Sequence, residues 1–480
     1  MEDKLNKIHE TALRILNEIG ISLLHPEVLE IVAQKGIKVS GQKAFFKPKQ
    51  VMEWVSKAPQ EFSLYARNPE YDAVFGGDHV EFSPGYGCAQ IIRADGSRRN
   101  AVLDDYIAFA KLTHQCEYFN INGGILAQPA DVPADKSHLV MLYAVIAHSD
   151  KGLIGIPGTG KKMQEIMEMM ALLFGGKEAF IQKPRVLTLI NTMSPLQIDD
   201  MSLQSMLVAA RHGQPMVISP APAAGTTGPI SLAGNLALAS AETLAGIVIA
   251  QMIAESTPVL FGLQGGVADL KTGRILAGSP ASVLQSKYGA LLAKKYGLPS
   301  RGSGNKTNAK WISVQSGYES MMSMLISSLS KHNLIMHSAG VLDDFSGMSY
   351  EQYLIDLEII GRVNRFTQGV HVDEDALSFD VLKAVGPGGE FLTATDTLQK
   401  VRTHSWNSEL DINEQVAGKT FNDQFLENVH MKLQNMLKNY QKPELDTKIQ
   451  KKLENYLVGA GIDRKIIDAI NEDNGKGGLL

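Results

Sequence analysis

Repeated alternation of short apolar runs with helical segments predicts an α/β fold, and within it an eight-stranded (β/α)8 barrel. Three observations carry this expectation. From about Asp104 onward, apolar runs ending in Gly, Pro or small polar residues recur, each followed by a helical segment. The runs are continuously apolar, as strands covered by helices on both faces must be. Seven such units are legible over a length of about 250 residues, which suits eight strands closing on themselves. A doubly wound open sheet satisfies the same observations and is the alternative.

The chain opens with a helix, because Leu5, Ile8, Ala12, Ile15, Leu16 and Ile19 fall on one face at helical spacing. "HPEVLEIVAQKG" and "KPKQVMEWVSKAP" each place Pro at an early helical position, and the first stops at Gly. "VEFSPGYGCAQIIRADGSRRNAV" carries short β-rich runs around Asp95-Gly96, a hairpin signal. Residues 1–103 therefore read as a helical and β-hairpin extension, and residues 104–404 as the barrel. Its strands lie in "YFNINGG", "GLIGIPGTG", "RVLTLINTMSP", "PMVISPAPAAG", "PVLFGLQGGVAD", "LPSRGSGNKTN" and "LIMHSAGVLDD". Helices between them include 162–173, 202–211, 236–255, 282–295 and 315–329. The eighth strand is poorly marked, and "GVHV" at 369–372 is the candidate. Residues 405–480 read as a helical tail ending in a frayed "NEDNGKGGLL".

With 44% hydrophobic and 20% charged residues, the 480-residue chain has the composition of a globular protein. A net charge of −5 without a long Lys/Arg block argues against nucleic acid and anionic membranes as partners. Two cysteines, Cys88 and Cys116, suit a reducing compartment. They fall short of the three or four thiolates of a Cys-rich zinc or iron–sulfur site. The N-terminus is charged from its second residue, and no run of about 18 apolar residues is expected to span a bilayer. The expected location is the cytoplasm.

Several familiar motifs fail on inspection. "GIPGTGKK" follows a strand and opens a helix like a phosphate-binding loop, but Lys162 stands where the magnesium-binding hydroxyl is needed. It reads better as a tight strand-to-helix turn. His9-Glu10 is followed by Thr and Ala rather than a second metal-binding His, and the 12 histidines are scattered. No G-x-S-x-G elbow stands out. "SPAPAAGTTGPISLAGN" has no Lys or Arg, and Pro220, Pro222 and Pro229 remove backbone donors. It is a poor phosphate cradle, and serves either as an uncharged floor at the mouth or as a turn for close helix packing.

In such folds the site gathers at the carboxyl ends of the strands. Asn122, Asn191, Gln264, Arg301, Asn305 and His337 are projected there, with Trp311 and Phe345 in adjoining loops. Arg301 and His337 follow neighbouring strands and are placed to converge on one carboxylate, Arg in bidentate fashion. Trp311, Phe345 and Tyr86 are candidates to wall a cation. Core packing is the alternative for each aromatic, and an internal salt bridge for Arg301.

"AAGTTGPISLAGNLALASAETLAGI", "NTMSPLQ", "VQSGYESMM" and "VDEDALSFDVLKAVGPGGEFL" together resemble the trimethylamine methyltransferase family over nearly the whole chain. More specifically, the chain resembles the branch without pyrrolysine, since "GNKTNAKWISVQSGYES" occupies that residue's neighbourhood with ordinary residues. "FLTATDTLQK" departs from the family where histidines are expected near Ala394 and Asp396. The resemblance implies a TIM barrel and methyl transfer from a quaternary amine such as glycine betaine, proline betaine or carnitine. The acceptor it implies is the Co(I) corrinoid, which cycles to methyl-Co(III), of a separate cognate corrinoid protein. It also implies a homo-oligomer. The D-x-H-x-x-G string of corrinoid-binding folds is absent, so no permanently bound cofactor is expected.

On this reading Arg301 and His337 hold the substrate carboxylate, while Trp311 and Phe345 face the ammonium head. Asn191, Gln264, Asn305 and Tyr86 complete the pocket, and Gly225, Thr226, Thr227 and Gly228 form a corrinoid-facing rim. No catalytic acid, base or metal is expected, because a quaternary ammonium leaves as a neutral tertiary amine. Two readings from other classes stand beside it. One is a lyase or isomerase using Lys306, Lys310 or Asp343 as base; the other is a betaine-binding protein without catalysis.

Overall fold

The computed structural model describes residues 1–404, 406–414 and 416–472, so residues 473–480 of the expected frayed end lie outside the described residues. Eight short parallel strands organise the chain. They are β1 (Glu81–Phe82), β2 (Ile121–Gly123), β3 (Gly152–Ile154), β4 (Val186–Asn191), β5 (Met216–Ser219), β6 (Val259–Phe261), β7 (Arg301–Ser303) and β8 (Leu334–Met336). Strands β2 to β6 pair in that order, and β7, β8 and β1 form a second parallel set. Isolated parallel bridges also join Phe82 to Phe119, just before β2, and Phe261 to Ser300, just before β7.

Seven strands fall in the runs read from the sequence. The remaining one corrects the expectation: it is β1, inside the segment 1–103 assigned to the extension, and not 369–372. A strand of two residues, Glu81 and Phe82, is too short to show a period. "GVHV" has strand-like residues but nothing to pair with, and its Val370 is 86% exposed.

The N-terminal end of the strands is closed by a hairpin, Phe62–Leu64 with Ala73–Phe75. Its Leu64 and Phe75 pack with Ile121, Leu187, Leu260 and Leu334 from the strands in one interior cluster. At the opposite end the loops rise into small ladders. Gln90–Ile92 and Arg98–Asn100 form the expected hairpin around Asp95-Gly96, and Gly347–Met348 pairs alongside it. Ala223–Ala224 pairs with Gly266–Val267.

One helix departs from the usual amphipathic pattern. Leu232–Ile253 is long and apolar enough to cross a membrane, contrary to the sequence expectation, yet 94% of its most apolar window is buried in protein. The reason is cover on both sides. Its inner face lies on β5 and β6, and its outer face is covered by helices Glu2–Arg14, Pro26–Gln34 and Pro48–Val55 of the N-terminal region. The loop after β4 ties this region down, because Gln197–Ile198 pairs with Ile21–Leu23.

Close approach of this helix to β5 depends on Gly246, where an added Cβ would lie 2.5 Å from Ile218 Cγ2. A side chain in a helix interior usually gains up to about 1 kcal/mol over Gly. Overpacking here costs about 1–3 kcal/mol and outweighs that gain, especially for a β-branched residue. Gly246→Val should therefore lower stability by about 2 kcal/mol, measured as the shift in the urea midpoint and the calorimetric unfolding temperature.

Candidate active site

Alternation along β7 turns Arg301 and Ser303 toward the strand interior and Gly302 toward the helices, where a Cβ would meet the His332 ring. Arg301 thus stands at the start of its strand, and its length carries the guanidinium toward the carboxyl ends. There Nη1 donates to Ser219 Oγ at 3.2 Å, and Nη2 donates to His337 Nε2 at 3.0 Å. Arg301 is 3% exposed and has no carboxylate partner among the described residues. Its Nε is buried without a hydrogen bond. Burial lowers its pKa to about 9, so it remains a cation at neutral pH.

His337 accepts from Arg301 and is therefore neutral at Nε2. Burial, then the charges of Arg301 and Lys306, hold its pKa well below the usual value. Its Nδ1 is buried and unpartnered, and its backbone is left-handed at φ 56°. Rings stand on both sides of it: Phe345 at 4.7 Å between centroids, and Tyr86 edge-on at 6.4 Å. Burial raises the Tyr86 pKa, and its hydroxyl has no hydrogen-bond partner. Gly124 makes room for Tyr86, since a Cβ there would come within 2.4 Å of the ring.

A second cation lies beside the first. Lys306 is buried, and its Nζ is 3.4 Å from Gln264 Oε1, which also accepts from Ser303 Oγ at 2.8 Å. Burial and then Arg301 lower its pKa to about 8, against the opposite pull of Asp344. Burial raises Asp344 to about 6, opposed by Lys306 and Arg274. Two cations, a neutral imidazole and unpartnered polar atoms therefore lie together in the buried interior.

The structure brings together Arg301, His337, Phe345, Tyr86 and Gln264, as the sequence suggested. Asn191 lies at the open end of β4, in register with Ser219 and accessible. Two residues are placed differently. Asn305 donates through Nδ2 to the carbonyls of Ser338 and Asp356, so its amide ties the turn after β8 to the helix Tyr350–Thr367. Trp311 is 51% exposed and lies against the Gly96 turn, outside the cluster. A loop that rises along the hairpin carries it outward, which spacing alone does not show. Ala394 and Asp396 lie on or beside the helix Thr395–His404, where Asp396 pairs with Lys400 at 2.8 Å.

Gly225, Thr226 and Thr227 form an exposed turn. The N–H groups of Thr226, Thr227 and Gly228 all donate to the Ala223 carbonyl, so they do not form an anion cradle. Ser219, Ser303 and Asp344 joined the site without being singled out. Ser219 was legible as the last residue of "PMVIS"; the other two needed the fold.

Above the cluster sits an ion network around Asp343. Its buried carboxylate accepts from Arg98 at 2.8 Å, from Arg274 at 2.7 Å and from Lys310. These cations come from three separate loops. Burial alone would raise the Asp343 pKa, but the hydrogen bonds from Lys310 and Arg98 and the charges of Lys310 and Arg274 hold it below the usual range. Asp343, Asp344 and Phe345 are all left-handed, at φ 50°, 51° and 66°. Such a run of non-glycine residues persists only where its surroundings impose it. The Asp343 network imposes it here and sets Phe345 on His337. Asp343 and Lys310 are bound to each other, so neither is a free base.

Comparison with known proteins agrees with this architecture. A family model described as trimethylamine methyltransferase (MTTB) matches residues 1–460. The chain is 39% identical over 463 residues to a glycine betaine methyltransferase of Desulfitobacterium hafniense (strain Y51), covering 96% of each chain. It is 30% identical over 464 residues to the trimethylamine methyltransferase MttB of Methanosarcina barkeri (strain Fusaro / DSM 804), covering 94% of this chain and 93% of that one. The crystal structure of the Methanosarcina barkeri monomethylamine methyltransferase MtmB matches with a TM-score of 0.55 at 10% identity, covering 91% of this chain and 88% of that one. That likeness is one of fold.

Asp343→Asn leaves three cations without their shared counter-charge. Breaking a buried ion network costs about 3–5 kcal/mol, less here because the cations are partly exposed, so about 2–3 kcal/mol is expected. Calorimetry should show the drop in unfolding temperature shrinking at 1 M salt, where the Debye length is about 3 Å and the mutual repulsion is screened. Because the Asp343 pKa is depressed on folding, its contribution is present above the ordinary carboxylate pKa. It is lost as pH falls through the lower folded value.

Proposed function

We propose that this methyltransferase, which belongs to the trimethylamine methyltransferase family, moves a methyl group from a quaternary amine bearing a carboxylate to the Co(I) corrinoid of a separate protein. The carboxylate requirement rests on one observation: Arg301 is a buried guanidinium with no carboxylate of its own among the described residues. A bare trimethylammonium ion beside Arg301 and Lys306 would meet two like charges in a space of low dielectric. A betaine brings the missing anion, to which Arg301 and Lys306 donate, and Tyr86 adds its idle hydroxyl. Glycine betaine, proline betaine and carnitine all belong to this class. The chain's similarity to the Desulfitobacterium hafniense glycine betaine methyltransferase supports it.

The eight strands in this reading form a (β/α)8 TIM barrel, closed through the bridges at Phe82–Phe119 and Phe261–Ser300. The hairpin Phe62–Leu64/Ala73–Phe75 plugs its amino end, so the open end is the mouth above Arg301. Phe345 and Tyr86, rather than Trp311, flank the ammonium head.

Co(I) supplies the nucleophile. Its electron pair forms the new Co–C bond of methyl-Co(III) by in-line attack on the methyl carbon, and the C–N bonding pair stays on nitrogen as a neutral tertiary amine leaves. No proton moves, so no general acid is needed. The protein's part is to desolvate the zwitterion, anchor its carboxylate and aim one methyl at the mouth. The acceptor enters over the turn around Thr226, whose small, uncharged side chains permit a broad planar group to approach. The partner in this reading is a corrinoid protein, and the cytoplasm, where Cys88 and Cys116 stay reduced, is the location.

The decisive assay follows the visible absorption of a reduced corrinoid protein with this enzyme and each betaine in turn. Loss of the Co(I) band with one betaine is expected; no loss with any betaine and a competent partner would overturn the reading in favour of binding alone. Arg301→Met should weaken betaine binding about 10- to 100-fold by calorimetry, the worth of a charge-assisted pair. Affinity should fall as pH rises through about 8, as Lys306 loses its proton, while the Arg301 guanidinium stays charged. At the rim, Gly225 and Gly228 are poor test sites. Gly225 is left-handed at φ 99°, and a Cβ on Gly228 would lie 2.0 Å from Asn235. Thr226→Trp instead should slow methyl transfer while betaine binding stays unchanged.

A further inference from the structure

Beyond helix Tyr350–Thr367 the chain leaves the body as an arm, residues 369–401. Its helices Glu374–Leu377 and Phe379–Val385 bury no residue at all. Ten large hydrophobic side chains between Phe366 and Val401 are exposed, among them Phe379 at 69% and Leu392 at 75%. The arm includes "VDEDALSFDVL", one of the strings that mark the family, and methyl transfer gives it no role. It is also acidic, with six Asp and Glu against two lysines, and Lys400 is held by Asp375 and Asp396.

A complementary surface exists elsewhere on the same molecule. An apolar groove runs between helices Glu2–Arg14, Leu232–Ile253 and Pro280–Tyr296, lined by Ile8, Leu236, Leu284 and Tyr288, with Lys4 and Lys7 among its residues. Lys4 has no carboxylate partner among the described residues, and Lys7 pairs only with the exposed Asp3. Within one copy, helix Val314–Leu329 stands between the arm's root helix and the groove.

We propose that the arm of one copy docks in this groove of a second copy, its apolar side chains on Leu284 and Tyr288 and its acidic residues toward Lys4 and Lys7. The areas favour a copy of the chain. An uncovered Val, Leu or Phe offers on the order of 60–120 Å² of apolar surface, so ten of them present roughly 600–1,200 Å². That is more than the about 300–600 Å² of the largest patch on a typical monomer, and close to the about 800 Å² that each partner contributes to a stable interface. Reciprocal exchange of two arms forms two such contacts, a closed twofold arrangement.

Light scattering on the full chain tests this independently of the methyl-transfer reading. The unsubstituted chain should be a dimer or an even-numbered oligomer. Phe379→Glu with Leu382→Glu should weaken association at least 100-fold, with the circular dichroism of the body unchanged because neither side chain is buried. Leu284→Glu, on the groove, should do the same. Mixing the two variants should restore dimers, since the intact arm of the groove variant meets the intact groove of the arm variant. A monomeric unsubstituted chain, a variant that stays associated, or failure of the mixture to restore association would each overturn the proposal. Variants that stay associated but lose methyl transfer to the corrinoid protein would assign the arm to that partner instead.

Discussion

Arg301 brings a positive charge into the interior without a carboxylate to meet it, and much of the local structure is organised around tolerating that charge. The neutral acceptors Ser219 and His337 hold it, and they come from β5 and from the turn after β8. His337 can accept only while unprotonated, and burial beside two cations ensures that state. Its ring is then fixed by Phe345, whose left-handed backbone is imposed by Asp343 and three cations drawn from separate loops. A chain of contacts thus runs from the mouth to the guanidinium. In the proposed reaction the substrate anion supplies the charge that the protein leaves out, and binding and charge compensation become the same event.

The scaffold beneath follows from covering apolar surface. Helix Leu232–Ile253 is apolar all round, which is stable in water only if both faces are covered, and the N-terminal helices cover the outer one. The hairpin at the amino end of the strands does the same for the interior cluster. The extension is therefore a structural part of the same core. A buried, closed amino end leaves the carboxyl end as the place where side chains such as Lys306 meet a ligand.

In the proposed reading, the charge pattern separates this site from one built for a simple methylamine. Arg301 and Lys306 are repelled by a cation and drawn to an anion, so a zwitterion is the quaternary amine that suits both the aromatic rings and the buried charges. The family relationship supports the methyl-transfer chemistry, while the buried Arg supports a carboxylate on the substrate.

The strand-and-helix rhythm is legible in the amino-acid order alone, because continuously apolar runs punctuated by Gly and Pro have few other solutions. The sequence also places Arg301, His337, Gln264, Phe345 and Tyr86 at or near the carboxyl ends of strands, where sites of such folds gather, while leaving core packing open for the aromatics. Only the tertiary structure decided the rest. β1 is two residues long and is defined by its neighbours β8 and Phe119, not by any period of its own. Trp311 and Asn305 share the spacing of site residues, but the loop path takes one outward and the backbone carbonyls of Ser338 and Asp356 engage the other. Asp343 gathers Arg98, Arg274 and Lys310 across sequence separations that no local pattern records. Local patterns fix which residues can be buried; the meeting of distant loops fixes which charges face one another.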